Sequence, residues 1–266
     1  MNKTVNTTIE TLVNSDFIIL LGEPLFLNEA LQTAIQNSTA YIAYMNPIDY
    51  KSDALKFSQY IKYEVGSEEG ICALLLEYFA KNASAEVEAF IDDMDVGYLS
   101  AESSVGEEEF EDMVENSLNK TNKTILLSED LFVHKNASNI KKLLGALNAY
   151  SDLNCVILSE NSAKSIEAYN DEALQEVEEL MSFNGTVIYK NRFASNNELV
   201  GSQSFSKIAK VDDGADVVIK YANETINRKF RIDTNLQGTV ALCDNNSDLA
   251  SLEYSYKQVK IEKVDA

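Results

Sequence analysis

The chain has 266 residues, 45% of them apolar, and its 43 acidic against 22 basic residues leave a formal net charge of −21. That length buries one sizeable core with room for a small second domain. The acidity argues against a nucleic-acid-binding face and against direct contact with an anionic membrane, since both call for a basic surface. What it favours is a self-repelling cytoplasmic protein, or an acidic subunit docked on a more basic partner. Residues 1–10 show no signal-peptide pattern, and no apolar run approaches the roughly 20 residues that span a bilayer, so membrane insertion is not expected. Cys72, Cys155 and Cys243 are widely spaced and odd in number. They fit a reducing compartment, make no zinc or iron–sulfur ligand set, and read as buried small apolar residues.

In chain order, a short helix is expected over Thr7 to Asn14, then a strand from Phe17 to Leu21 that ends at Gly22. After Glu23-Pro24, apolar residues Leu27, Ala30, Leu31, Ala34 and Ile35 recur at helical spacing over 26–37. Tyr41 to Met45 reads as the next strand, closed by Asn46-Pro47 because the residue before proline avoids helical geometry. A third strand is expected over Tyr60 to Val65. Ser67 is placed to cap a buried helix over Ile71 to Lys81, with Glu68 and Glu69 in its first turn. A helix over Ala85 to Met94 follows. Gly97 and Gly106 then bracket a compact loop, and Glu107-Glu108-Glu109 opens a helix with Phe110, Met113, Val114 and Leu118 inward.

The next strand, Thr124 to Leu127, begins a repeat. Residues 19–26 read Ile-Leu-Leu-Gly-Glu-Pro-Leu-Phe, and residues 125–132 read Ile-Leu-Leu-Ser-Glu-Asp-Leu-Phe. Each copy is an apolar run, a turn, a helical stretch and a second apolar run, here Asn136 to Tyr150 followed by Asn154 to Leu158. That is the pattern of a parallel sheet covered on both faces. The fold class is therefore α/β, a doubly wound, mostly parallel sheet built from two strand–helix–strand units. A further helix is expected over Asp171 to Met181, with Glu172, Glu176 and Glu179 outward. From Phe183 the segments 184–189, 215–221, 229–233, 238–242 and 254–263 alternate or are β-branched. The expected organisation is an α/β domain over 1–183 and a mostly β region over 184–266.

Doubly wound folds bind ligands where the carboxyl ends of strands meet the next helix N-terminus. The two equivalent turns, Gly22-Glu23 and Ser128-Glu129, both carry a glutamate, where a phosphate-bearing cofactor needs bare backbone N–H groups. They read as vestigial cofactor loops that bind nothing. No phosphate loop or dinucleotide-binding glycine motif occurs. Gly66-Ser67-Glu68-Glu69-Gly70 lacks a lysine and is too acidic to cradle phosphate. The single histidine, His134, lies near Ser128, Glu129 and Asp130 in sequence, but no nucleophile elbow surrounds Ser128, and His134 reads as a surface or helix-start residue. Asp92-Asp93-Met94-Asp95 and Asp212-Asp213 lack calcium-loop spacing and read as solvated faces. No catalytic, cofactor-binding or metal-binding residue is assigned.

Four phrases carry a resemblance: residues 19–26, Val65-Gly66-Ser67-Glu68-Glu69-Gly70-Ile71, residues 97–109 (Gly-Tyr-Leu-Ser-Ala-Glu-Ser-Ser-Val-Gly-Glu-Glu-Glu) and Ser128-Glu129-Asp130-Leu131-Phe132. They resemble the cofactor-free molybdopterin-oxidoreductase-like part of the G subunit, the large iron–sulfur subunit of bacterial NADH:quinone oxidoreductase (respiratory complex I), of the divergent epsilonproteobacterial type. The likeness spans about residues 15–165, and Gly185-Thr186-Val187 with Arg192 resembles the start of that family's C-terminal segment. The chain lacks the family's cysteine-rich iron–sulfur domains and the ligand context of a molybdenum enzyme. The resemblance implies a redox-inactive structural or accessory subunit without cofactors, associated with other peripheral-arm subunits at the cytoplasmic face of the inner membrane. Alternatives are a molybdopterin-dependent oxidoreductase fragment and a small-molecule-binding α/β enzyme or sensor.

Overall fold

The computed structural model describes residues 3–170, 173–191, 197–244 and 253–264. Two compact units divide the chain, residues 1–47 with 54–181, and residues 48–53 with 182–266.

The first unit opens with α1 (Glu10–Val13), β1 (Phe17–Leu21), α2 (Glu29–Gln36), β2 (Tyr41–Met45) and the short β3 (Gln59–Ile61). Four helices follow, α3 (Glu68–Phe79), α4 (Ala85–Asp93), α5 (Val96–Ser103) and α6 (Glu107–Ser117). The second copy of the repeat supplies β4 (Lys123–Leu127), α7 (Ala137–Tyr150) and β5 (Asn154–Val156), and α8 (Glu160–Glu167) comes after it. The five strands form one sheet in the order β3-β2-β1-β4-β5, and every pairing is parallel. β1 is buried at all five positions because both faces are covered. Phe17, Ile19 and Leu21 lie in one core with Ile71, Leu75, Leu143 and Leu147. Ile18 and Leu20 lie in the other with Leu12, Leu31 and Ile35. This is the doubly wound arrangement that the repeat predicts.

Strand order runs outward from β1 through β2 to β3, then returns to place β4 on the other side of β1. The two copies of the phrase thus become neighbours, with Leu21 opposite Leu127. Their turns flank the switch point of the sheet, where such folds form their crevice.

Several local expectations are corrected. The stretch after Met94 is not a loop but α5, because the Asp95 carboxylate accepts the Tyr98 N–H at 2.9 Å as an N-cap and Leu99, Ser100 and Ser103 are buried. Ser67 makes no side-chain cap to α3. Its hydroxyl donates instead to the Glu64 carbonyl at 2.7 Å. The expected helix over 171–181 is absent across 173–181, and its first two residues lie outside the described ones. Asn139 holds the Gln175 backbone from both sides, its Oδ1 accepting from the N–H at 3.0 Å and its Nδ2 donating to the carbonyl at 2.9 Å. Those bonds take groups a helix would use, so residues 173–181 run as an irregular strap with Val177 and Leu180 buried. Gly70 is where the strap approaches α3. A Cβ there would stand 2.9 Å from Leu180, so a side chain would push the strap off.

The second unit contains β6 (Val187–Asn191), β7 (Glu198–Gly201), α9 (Gln203–Ala209), β8 (Asp216–Tyr221), β9 (Glu224–Ile232), β10 (Val240–Asp244), β11 (Tyr256–Gln258) and β12 (Lys260–Lys263). β7 and α9 are elements that the alternation in the sequence does not announce. The strand order is β11-β6-β10-β7-β9-β8-β12, with parallel and antiparallel pairs mixed. β11 and β12 stand at opposite ends of that order, yet only Val259 separates them. One extended stretch therefore supplies both end strands of the order, β11 pairing with β6 and β12 with β8, both antiparallel. Ile188, Leu199, Phe205, Val217, Ile219 and Phe230 lie in the unit's core. Residues 48–53 belong to this unit because Lys51 N–H bonds the Asn235 carbonyl and Gln237 N–H the Asp49 carbonyl, each at 2.8 Å. Among the described residues, no helix is long and apolar enough to cross a membrane.

Candidate functional site

The crevice at the carboxyl ends of β1 and β4 is built from the two turns. Gly22, at φ +78°, turns the backbone out of β1. A Cβ on Gly22 would lie 3.2 Å from the Ser128 Cβ and 3.3 Å from the Tyr63 hydroxyl. Equivalent positions of the repeat are thus in near-contact, and the tyrosine hydroxyl sits against the Gly22 side of that junction. β3 stops at Ile61, two residues before Tyr63, so this residue leaves the sheet and turns inward. Tyr63 is only 2% exposed. Burial raises its phenol well above the usual range, and the Glu68 and Asp130 carboxylates add to that. The hydroxyl is a neutral polar group and not a base.

The turns differ in how they are tied. In the first, Glu23 is partly exposed and its Oε1 accepts from Asn28 Nδ2 at 3.2 Å, while Asn28 Oδ1 caps α2 through the Leu31 N–H at 3.0 Å. The Leu25 N–H donates to the Tyr44 hydroxyl at 3.2 Å. In the second, Ser128 is buried and its hydroxyl accepts the Asp130 N–H at 3.3 Å. Glu129 accepts from the Ser162 hydroxyl at 2.9 Å through Oε2, and its Oε1 is buried with no hydrogen bond among the described residues.

Around these turns lies a polar cluster whose depth the sequence does not disclose. Glu68 and Glu69, in the first turn of α3, are buried at 2% and 5% exposure. Glu69 accepts from Asn136 Nδ2 at 2.5 Å and Asn139 Nδ2 at 2.8 Å. Its carboxylate therefore sits where α3 and α7 both begin, and the positive ends of two helix dipoles favour it there. An anion-attracting position is filled by the protein's own side chain.

His134 is 4% exposed, so of its two readings it is not the surface residue but the helix-start one, its carbonyl accepting the Ala137 N–H at 3.0 Å where α7 begins. Its Nδ1 accepts the Asn136 N–H at 3.0 Å, so the ring proton sits on Nε2, 3.3 Å from the Gly66 carbonyl, which it meets as donor. Glu68 Oε2 lies 3.6 Å from the same nitrogen. Burial pushes the imidazole down to about 4, against the pull of the Gly66 carbonyl. Protonating Nδ1 would also break the Asn136 bond, so the ring stays neutral near pH 7. With both ring nitrogens engaged by backbone groups, His134 is no base for the Ser128 hydroxyl, which itself caps Asp130.

The thiols offer no nucleophile. Cys72, Cys155 and Cys243 are buried and free, as expected from their spacing. Burial raises all three, Cys155 to about 12 and Cys243 to about 11. A thiol with so little thiolate does not attack. Among the described residues, no group of three or more His, Cys, Asp or Glu is placed to hold a metal ion. Three of the five aspartates in the two acidic runs bond within the protein. Asp95 caps α5, Asp213 accepts the Ile232 N–H at 2.9 Å, and Asp212 pairs with Lys263 at 2.9 Å.

A pterin cofactor does not fit these residues. Carboxylates stand at both turns, Glu23 on Asn28 and Glu129 on Ser162, where a phosphate needs bare backbone N–H groups. Sequence reasoning marks Gly22, Glu23, Ser128 and Glu129, and all four lie at this crevice. It misses Tyr63, Glu69 and Asn139, whose partners are distant in sequence. No protein-family model matches the chain, and no curated protein matches it.

Proposed function

We propose that this protein is a redox-inactive structural subunit of a complex I-like assembly, docked in the peripheral arm on the cytoplasmic face of the inner membrane. The observation that carries the reading is the self-filled crevice. The Tyr63 hydroxyl lies against Gly22 of the first turn, and Glu69 takes the anion-favouring place where α3 and α7 begin. With the protein's own side chains in these places, the arrangement suits a domain kept for its shape. The four phrases that resemble the G subunit of complex I supply the identity of the assembly, and the net charge of −21 suits a subunit that seats on basic neighbours.

The test is affinity purification of the full-length protein at native expression, with identification of what copurifies in stoichiometric amount. Peripheral-arm subunits are expected. A monomer that never associates with them would overturn the assignment, and so would stoichiometric molybdenum and pterin in the purified protein.

A further inference from the structure

Within the first unit, α4, α5 and the strap 173–178 enclose a groove of about 680 Å³. Its floor is apolar. Phe90 and Met94 come from α4 and the turn after it, Leu99 from α5, and Leu174 and Val177 from the strap. Its rim is Glu86, Asp93, Asp95, Glu176 and Glu178, all exposed, and no lysine or arginine lines it among the described residues. The strap is a fixed wall, since Asn139 holds the Gln175 backbone and Lys142 Nζ donates to the Ala173 carbonyl at 3.3 Å.

An apolar floor inside a single-sign rim selects for an occupant with the opposite pattern. We propose that this groove docks a basic amphipathic segment of a partner protein, a helix whose apolar stripe enters between α4 and the strap while flanking lysines or arginines face the five carboxylates. Charge complementarity decides between occupants. A second copy of this protein, itself at −21, would bring like charges to the rim, and an anionic membrane or a nucleic acid would be repelled. The groove is large enough for several anchoring side chains. The inference goes beyond the proposed subunit role, because it rests on the groove alone and holds whichever assembly the protein joins.

The experiment uses the full-length protein and a fluorescent leucine–lysine peptide of about five helical turns, with leucines on one face. Controls are a scrambled peptide of the same composition and a version with glutamate for lysine. Binding by the amphipathic peptide alone is expected. Glu86→Lys with Asp93→Lys and Glu178→Lys should weaken it at least about tenfold, and Leu174→Ser by a similar factor. Reversal of three exposed charges on α6, Glu108, Glu111 and Glu115, should cost less than about twofold. Photo-cross-linking of the peptide to the unaltered protein should mark Phe90, Met94 or Leu174, which tests the site without relying on any variant to fold. Equal binding by the scrambled peptide, equal loss from the α6 reversal, or cross-links elsewhere would each overturn the proposal. So would a dimer in sedimentation that Leu174→Ser disperses, or a groove that takes a long-chain alkylamine and not the peptide.

Discussion

The two copies of the repeated phrase end in turns that occupy equivalent places at the sheet's switch point, yet they are held by different means. The turn after β1 depends on backbone conformation. Gly22 adopts a positive φ, and the groups beyond it are tied by Asn28 and by Tyr44 from the neighbouring strand. The turn after β4 depends on side chains. Ser128 caps its own backbone, Glu129 reaches to Ser162, and His134 a few residues on ties the loop to Gly66. Glycine suits the first turn because of its φ of +78°, and a Cβ there would also stand a tight 3.2 Å from the Ser128 Cβ. The lesson is that a sequence repeat at a switch point cannot be fully symmetric, since its two copies compete for one volume.

Making the turns alike should break the fold most. Gly22→Ser puts a side chain at φ +78° and crowds it against Ser128 and Tyr63. The conformational and overpacking costs together come to about 3 kcal/mol. The reverse change, Ser128→Gly, removes a cap and adds backbone freedom, for a loss of about 1 kcal/mol. Exchanging both residues should cost about 1 kcal/mol less than the two losses added, because the clash partner is gone. Urea unfolding of the four proteins checks the cycle, and strict additivity would mean the two turns do not compete.

Acid should act through His134, which follows the second turn. His134 is held near 4 in the folded protein and titrates near 6.5 when unfolded. As pH falls below 6.5 the unfolded state takes up the proton first, so stability is full above that value and is lost on the way down to 4. Between pH 7 and pH 5 the loss from this one group is about 2 kcal/mol. The urea midpoint of the unaltered protein should therefore drop more than that of His134→Gln over the same interval. Parallel curves would show that the ring is not kept neutral in the fold.

What the sequence discloses follows from the range of the interactions involved. β1 and β2 occupy the residues expected, because a run buried on both faces is recorded in consecutive side chains. The adjacency of Gly22 and Ser128 is also readable, since two copies of a strand–helix–strand unit can share only a few arrangements. The strap is not. Its Leu174, Val177 and Leu180 keep helical spacing, and what overrides it is Asn139, 36 residues earlier. The burial of His134 depends on Gly66, 68 residues away, and no local pattern records that. β7 and α9 are short, and β7 is held between β10 and β9, whose residues lie well along the sequence from it.

The smallest expected effect concerns the two glutamates, and it bears most directly on the scaffold reading. Glu23 is partly exposed with an asparagine partner, whereas Glu129 has one oxygen on Ser162 and the other buried without a hydrogen bond among the described residues. If Glu129 serves only to occupy the crevice, Glu129→Gln removes a half-desolvated charge and retains the Ser162 contact, because that hydroxyl can donate to the amide oxygen or accept from its nitrogen. Stability should then change by less than about 1 kcal/mol, in either direction, and Glu23→Gln by less than about 0.5 kcal/mol. A loss above about 2 kcal/mol at position 129 with none at position 23 would mean that the charge itself is needed within this fold. The same pair of variants then separates the turns by function, since only a charge that answers a partner would also weaken copurification when neutralised.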